Sequence, residues 1–222
     1  MTSYIRKLIE QGEHQRLDFK YAITDSKKIA RSLVAFANTD GGTLLIGVKD
    51  NGVISGVRDD EEFYMVQAAA QMYSKPEIFF ESRLWEEGDR SVLEIIVPKS
   101  DQRPHSAPNE DGKWMVYIRV HDQNLLANKI LLDVWHREKN NDGIFIKFSE
   151  KEKILFDYFE QNDTITLSKY CRIARLTNFK AEKILADLIL LKLIEIEITE
   201  KNIIYKLNKA NIDLINDWKN EK

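Results

Sequence analysis

A short apolar segment between two glycine-containing breaks constrains the fold of this chain more than any other feature. Residues 43–49, TLLIGVK, are almost continuously apolar, which is typical of a strand covered on both faces. The preceding stretch KKIARSLVAFAN carries an apolar stripe at helical spacing, and Asp40-Gly41-Gly42 ends that helix. Asp50-Asn51-Gly52 after the strand is a hairpin-turn signal. The segment therefore predicts a helix, a buried strand and a tight turn in direct succession.

The remainder of residues 1–140 adds further strands and helices around that segment. Gln15–Lys20 has the period of a strand, with Leu17 and Phe19 on one face and polar side chains on the other. Two more helices are predicted over Asp59–Ser74 and Asn124–Arg137, and four more strands over VISGV, IFFESRLWEE, SVLEIIVP and WMVYIRV. The resulting order β-α-β-β-α-β-β-β-α predicts an α+β domain with a mixed sheet.

A second domain is predicted at residues 144–222, after the polar linker HREKNNDG. Its first helix begins at Ser149, with Glu152 at the spacing of a capping box, and runs to Gln161. The other predicted elements are helices over Leu167–Ile173, Asn178–Lys192 and Ile212–Lys219, and a hairpin of IEIEIT and NIIYKLN turned at Glu200-Lys201. Three helices followed by a hairpin predict a winged helix-turn-helix.

Composition limits the classes of function. The formal net charge is −3, so the protein does not coat a polyanion through bulk charge, and any nucleic-acid contact needs a local basic patch. No apolar run is long enough for a transmembrane helix, and the N-terminus lacks the apolar core of a signal peptide. The single cysteine, Cys171, excludes an internal disulfide. We expect a soluble cytoplasmic protein without a membrane partner.

Acidic residues of the first domain form one candidate site. Asp18 and Lys20 are neighbours on the polar face of a predicted strand, Glu13 precedes that strand, and Asp50 closes the next one. If the two strands are adjacent, Glu13, Asp18 and Asp50 meet at one edge and could hold Mg²⁺ or Mn²⁺ beside Lys20. The alternative is that these residues are solvated strand-edge charges and a turn aspartate.

Basic residues of the second domain form another candidate site. Around its second and third helices, five cations face only one acid, Glu182; the cations are Lys169, Arg172, Arg175, Lys180 and Lys183. Thr177 and Asn178 open the third helix, where a recognition helix meets base edges, and Lys201 lies at the hairpin tip. Arg119, on a strand of the first domain, is a further candidate phosphate ligand. The alternative is a solvated helix face in a protein-interaction module.

A longer pattern joins many residues of the first domain: Glu13, Asp18-Phe19-Lys20, Ala35-Phe36-Ala37-Asn38-Thr39, Gly41-Gly42, Gly47-Val48, Asp50, Gly52, Gly56, Tyr117-Ile118-Arg119-Val120 and Ala127. In this order the pattern resembles the Schlafen AlbA-type family over about residues 8–135. The resemblance implies an Alba-like, nucleic-acid-binding core. In the Schlafen ribonucleases two glutamates and one aspartate bind the metal, and these match Glu13, Asp18 and Asp50, with the second shortened to aspartate here. The chain has no GxxxxGK[ST] phosphate loop.

Three functions follow as hypotheses. The favoured one is a DNA-binding protein of the transcription-regulator type, for which a homodimer would suit a symmetric operator on duplex DNA. The first alternative is a metal-dependent endoribonuclease acting on structured RNA such as tRNA, with Glu13, Asp18, Lys20 and Asp50 as catalytic residues. The second alternative is a protein-interaction module without catalysis.

Overall fold

The structure, a computed structural model, describes residues 2–57, 60–140 and 148–211. The described residues up to Ala127 form one compact unit, and those from Asn128 onward form a second. Within the described ranges, no helix is both long and apolar enough to cross a membrane.

The first unit is built on a four-stranded sheet with the order β1-β2-β4-β3. Strands β1 and β2 are parallel, whereas β2 with β4 and β4 with β3 are antiparallel. The mixed sheet and the α+β fold predicted from the sequence are therefore confirmed. The elements of this unit are α1 (Tyr4–Ile9), β1 (Leu17–Lys20), α2 (Ser26–Asn38), β2 (Gly42–Ile46), α3 (Glu61–Gln71), β3 (Glu81–Glu87), β4 (Arg90–Val97), β5 (Ala107–Pro108), β6 (Trp114–Met115), β7 (Tyr117–Val120) and β8 (Gln123–Leu126).

Strand β2 lies at the centre of the unit and is covered on both faces. Leu44 and Ile46 belong to the main core, which includes the buried sides of α2 and α3. Leu45 points to the opposite face, into a smaller core that contains Leu17, Phe19 and Ile5 of α1. Alternate residues of one apolar strand thus supply two cores, which is why the sequence shows a continuous apolar run instead of a polar alternation.

The break between α2 and β2 requires glycine. Gly41 has a φ of +71°, and a Cβ atom placed there would lie 2.8 Å from the backbone nitrogen of Lys99. Any other residue would therefore combine an unfavourable left-handed backbone with a steric clash. The turn after β2 also forms as predicted, because the Gly52 amide donates to the Lys49 carbonyl at 2.7 Å.

The predicted helix over Asn124–Arg137 is wrong in its first part. Residues Gln123–Leu126 form β8, which pairs antiparallel with β7. The helix begins only at Lys129, and the Asn128 side chain accepts from the Leu131 amide at 2.8 Å, as a helix cap does. Hydrogen bonding to β7 thus holds these residues in a strand despite their local helical pattern.

Several other boundaries differ from the sequence predictions. The predicted strand WMVYIRV is divided into β6 and β7. The predicted strand IFFESRLWEE corresponds to β3, which starts only at Glu81. VISGV forms only an isolated bridge between Val48 and Ile54. Helix α1 and a short strand at Thr164–Ile165 were not predicted. The chain divides after Ala127 rather than in the polar stretch near residue 140, because the helix from Lys129 packs within the second unit.

Over its described residues the second unit contains four α-helices and a hairpin, of which the last three helices and the hairpin lie at the predicted places. Its elements are α4 (Lys129–Asn140), α5 (Glu150–Phe159), β9 (Thr164–Ile165), α6 (Leu167–Ala174), α7 (Asn178–Leu190), β10 (Ile194–Ile198), β11 (Ile203–Leu207) and a 3₁₀ turn at Lys209–Asn211. The strands form an antiparallel sheet with the order β10-β11-β9. The helix predicted over Ile212–Lys219 lies outside the described residues.

A helix-capping motif, ion pairs between helices and a core of its own stabilise the second unit. Ser149 and Glu152 form both reciprocal hydrogen bonds of the predicted capping box at the start of α5. Helix α4 packs beside α7, where Arg137 contacts Asp187 at 2.6 Å and Lys129 contacts Glu182 at 2.5 Å. The fully or nearly fully buried side chains of this unit include Leu155, Phe156, Tyr170, Leu185, Leu188 and Tyr205.

Candidate functional site

A buried ion cluster occupies the predicted carboxylate site of the first unit. Asp18 lies on β1, on the side opposite to Leu17 and Phe19, and only 3% of its surface is exposed. Its carboxylate contacts the Lys20 ammonium at 2.9 Å and the Arg119 guanidinium at 3.3 Å, and it accepts a hydrogen bond from the Ser32 hydroxyl at 3.5 Å. Two cations therefore already neutralise this one carboxylate.

Arg119 is a buried partner of Asp18, in contrast to the predicted surface position for phosphate binding. It is 2% exposed, and its Nη2 atom also donates to the carbonyls of Leu17 and His14 at 3.2 and 3.4 Å. Its Nη1 atom donates to the side chain of Asn124 at 3.1 Å. The guanidinium therefore joins β1, β7 and β8, and its role in the structure is to hold them together.

The Asn38-Thr39 pair of the sequence pattern fixes the strand that carries Arg119. The Asn38 amide donates to the carbonyls of Tyr117 and His105 at 2.8 and 2.9 Å. The Thr39 hydroxyl accepts from the backbone N–H of Arg119 at 2.9 Å and donates to the Ala35 carbonyl at 2.7 Å. The end of α2 thus positions the buried arginine against Asp18.

Glu13 joins this cluster from its rim. One carboxylate oxygen of Glu13 accepts from the Phe19 amide at 2.8 Å. Burial, together with a hydrogen bond to Asp18 and the negative charge of Asp18, raises the pKa of Glu13 to about 7. Burial would also raise the pKa of Asp18, but the hydrogen bond from Glu13 and the charges of Lys20 and Arg119 outweigh it and lower that pKa. Near neutral pH the pair therefore shares a proton, with the negative charge on Asp18.

The third predicted carboxylate, Asp50, lies at the exposed turn after β2. Among the described residues, no group of three or more aspartate, glutamate, histidine or cysteine side chains could hold a metal ion. Asp18 is already bound by two cations, and Glu13 is held partly protonated beside it. This arrangement does not fit the divalent ion that the Schlafen resemblance implies, because such an ion needs ionised oxygen ligands with open positions.

Most of the basic residues predicted around α6 and α7 of the second unit are exposed, in contrast to the buried ion cluster of the first unit. Arg172, Arg175, Asn178, Lys180 and Lys183 are all exposed on α6, on α7 or at their ends. Among the residues that the structure describes, none of the four cations in this set forms an ion pair. Their charges are therefore available to an outside anion and do not serve the fold.

The acids of α7 do not cancel this charge, because each already has an internal partner. Glu182 binds Lys129 and Asp187 binds Arg137, both from α4. Over the part of the chain that the structure describes, Arg172, Arg175, Lys180 and Lys183 thus carry surface charge without an ion-pair partner.

The remaining predicted contacts differ in accessibility. The Thr177 hydroxyl caps α7 by accepting from the Lys180 amide at 3.4 Å, so it starts the helix as predicted. Lys169 is half-buried, with its ammonium 5.6 Å from the ring centre of Tyr158. Lys201 is exposed between β10 and β11, next to the acidic Glu200.

Sequence reasoning missed one residue of this face. Phe179 follows Asn178 in the first turn of α7, and 70% of its surface is exposed. The available signal was an aromatic residue between the capping Thr177 and Lys180, off the apolar stripe of the helix.

Comparison with known protein families identifies the family of the first unit. Residues 13–128 match the family described as Schlafen, AlbA_2. This chain belongs to the Schlafen AlbA_2 family. The match includes Glu13, Asp18, Lys20, Asp50 and Arg119, and it ends at the boundary between the two units. Membership supports a nucleic-acid-related function.

Two solved structures resemble part of the chain. One is the DIP2311 protein from Corynebacterium diphtheriae, with 19% identity and a TM-score of 0.41; the match covers 59% of this chain and 29% of that protein. The other is the N-terminal domain of an ATP-dependent DNA helicase RecG-related protein from Nitrosomonas europaea, with 23% identity and a TM-score of 0.39. That match covers 58% of this chain and 97% of the solved domain.

Proposed function

We propose that this protein binds duplex DNA through its second unit, as a cytoplasmic regulator of the transcription-factor type. The second unit then acts as a winged helix-turn-helix, with α7 as the recognition helix and the β10–β11 hairpin as the wing. The observation that carries the proposal is the set of exposed, unpaired cations on α6 and α7: Arg172, Arg175, Lys180 and Lys183.

Phosphate binding is the chemistry that suits these cations. A charged side chain that is exposed and makes no ion pair adds little to the stability of the fold. The same side chain releases counterions when it neutralises a phosphate, which supplies sequence-independent affinity. A homodimer would place two such helices on a symmetric site, as the point symmetry of many operators requires.

The first unit contributes no catalytic step in this proposal. Its carboxylate pair is occupied by Lys20 and Arg119 and does not fit a divalent ion. A metal-dependent ribonuclease activity is therefore the competing outcome of the test and not a second proposal.

The test measures the salt dependence of DNA binding. Fluorescence anisotropy of the full chain with a labelled 24-base-pair duplex of mixed sequence gives the dissociation constant between 50 and 200 mM salt. Because each lost phosphate contact reduces the slope of log K against log salt by about 0.9, the Lys180→Ala/Lys183→Ala variant is expected to bind more weakly with a slope flatter by about 1.8.

Matched controls separate this surface from general charge. Lys27 and Lys28 are exposed at the start of α2 in the first unit, so Lys27→Ala/Lys28→Ala removes the same charge elsewhere and should leave the slope unchanged. An equal loss in both variants contradicts a specific basic face. Incubation with tRNA and Mn²⁺ supplies the second arm, since cleavage that Asp50→Ala abolishes would favour the nuclease.

A further inference from the structure

Phe179 is a large apolar side chain in the first turn of α7, the proposed recognition helix. It is 70% exposed, whereas other apolar residues of the helix, such as Leu185 and Leu188, are fully buried. Lys183 follows it by four positions and therefore lies on the same face of α7, whereas Lys180, the next residue, points about 100° away around the helix. An apolar ring thus lies beside two cations that make no ion pair among the described residues.

A cation of α4 lies near this ring. The Lys129 ammonium lies 5.6 Å from the centre of the Phe179 ring, and the same ammonium contacts the Glu182 carboxylate at 2.5 Å. A cation over an aromatic face restrains the ring without covering it. Phe179 is therefore an exposed apolar surface with one cation near its ring.

The chemistry of the major groove offers one partner for such a surface. Base edges there present hydrogen-bond donors and acceptors, and the C5 methyl group of thymine is the one apolar feature among them. Phenylalanine is among the side chains that make this contact. The neighbouring lysines can bind the phosphates, which carry no sequence information, so the aromatic ring is the group available to contact the bases.

We propose that Phe179 is a specificity-determining residue that reads the C5 methyl group of thymine in the major groove. This inference rests on the proposed DNA binding and adds to it a base preference that phosphate contacts do not provide. The ligand it predicts is duplex DNA with a methylated pyrimidine at the position opposite the first turn of α7.

A groove between α4 and α7 provides the competing use of the same ring. It has a volume of about 660 Å³ and is lined by Phe179, Ile130, Leu132 and His136 among others. A protein segment seated there would also cover Phe179. The experiment below separates the two uses, because only DNA reading depends on a methyl group of the duplex.

The experiment compares duplexes that differ by that methyl group alone. Alternating dA-dT and dA-dU duplexes are bound to the full chain in the anisotropy assay, since every base pair of the first carries a thymine methyl and the register of binding does not matter. Burying one methyl group is worth about a three- to fivefold preference, which we expect for the dA-dT duplex. A dG-dC duplex with and without 5-methylcytosine should show the same direction.

Two variants complete the design. Phe179→Ala is expected to bind the dA-dT and dA-dU duplexes equally, near the affinity of the unchanged protein for dA-dU. Lys183→Ala should weaken both duplexes by the same factor and keep the preference. Circular dichroism verifies the fold of each variant, and since both side chains are exposed, folding should be retained.

The outcomes distinguish this inference from the function on which it rests. Salt-dependent binding without any preference between dA-dT and dA-dU overturns the role of Phe179 and leaves DNA binding intact. A preference that persists in Phe179→Ala also overturns it, because another residue would then read the methyl group. The absence of binding to every duplex overturns the proposed function itself.

Discussion

Asp18 and Arg119 are almost completely buried, with 3% and 2% of their surfaces exposed. Removing one partner of such a pair leaves the other charge buried without compensation, which typically costs about 3–5 kcal/mol. We therefore expect Asp18→Ala to lower the free energy of unfolding of the first unit by about that amount. Urea unfolding followed by tryptophan fluorescence measures the loss.

Asp50 provides the matched control for this substitution. It is an aspartate of the same sequence pattern, but it lies exposed at a turn. Asp50→Ala is expected to change stability by no more than about 0.5 kcal/mol, as is usual at an exposed position. Equal destabilisation by the two substitutions would contradict the structural role of Asp18.

Glu13 is expected to make the free energy of unfolding decrease as pH rises. Its pKa is raised from an ordinary value of 4.5 to about 7 by burial and by Asp18. A raised pKa in the folded state contributes stability that is fully present below the ordinary pKa and is lost as pH rises through the folded value. Unfolding free energy should therefore fall from about pH 4.5 to pH 7, by about 1 kcal/mol after allowance for the partial exposure of Glu13.

Glu13→Gln removes the titrating group while keeping a hydrogen-bond donor for Asp18. In this variant the decline between about pH 4.5 and 7 should flatten, and stability at pH 8 should rise relative to the unchanged protein. Urea unfolding at several pH values measures both effects. Glu10→Gln, an exposed acid of the same N-terminal segment, serves as the control. An unaltered pH slope in Glu13→Gln would show that the proton resides elsewhere.

At the scale of single elements, the end of α6 combines strain with charge. Arg175 is the C-cap residue and adopts a left-handed conformation with φ 52° and ψ 51°. Glycine accepts this conformation without the steric cost that other residues bear, so Arg175→Gly should stabilise the second unit by about 0.5–1 kcal/mol. The same substitution removes a cation of the proposed DNA face and should weaken binding to the mixed-sequence duplex.

Arg175→Ala separates the two effects. It loses the same charge but retains a side chain that disfavours the left-handed backbone, so it should weaken DNA binding as much as Arg175→Gly without the gain in stability. Thermal unfolding and anisotropy, measured on both variants, test this pair of expectations. Undiminished affinity in both variants would remove Arg175 from the interface.

Elements with local signals were predictable from the sequence, and those that depend on distant partners were not. The capping box at Ser149, the glycine break at Gly41 and the buried strand β2 each follow from adjacent residues. Strand β8 was missed because its pairing with β7 overrides a helical pattern. The burial of Arg119 was missed for the same reason, since its partner Asp18 lies 101 positions away in the sequence.

At the scale of the whole molecule, the net charge of −3 conceals an uneven distribution. Acids of the second unit such as Glu182 and Asp187 are bound to cations of α4, so their charge does not oppose an approaching phosphate. Among the described residues the cations of α6 and α7 make no ion pair, so we expect this surface to be locally positive. The proposed DNA binding is therefore compatible with a net negative chain and should depend strongly on salt.

The two units each have their own core, so we expect substitutions to act on one unit at a time. Asp18→Asn should weaken the first unit, and Ser149→Ala should cost the second about 1 kcal/mol by removing the cap of α5. Hydrogen exchange read by mass spectrometry reports on both units in one experiment, because the peptides from each are distinct.

In that experiment Asp18→Asn is expected to accelerate exchange in peptides from β1 to β4 and to leave α5–α7 unchanged. Ser149→Ala should have the reverse effect, with faster exchange in α5 and in the elements that pack on it. Ser168→Ala, an exposed serine on α6, controls for the loss of a hydroxyl that makes no cap. If either substitution accelerates exchange across both units, their stabilities are coupled, and the proposed DNA binding by the second unit would then depend on the Asp18–Arg119 pair of the first.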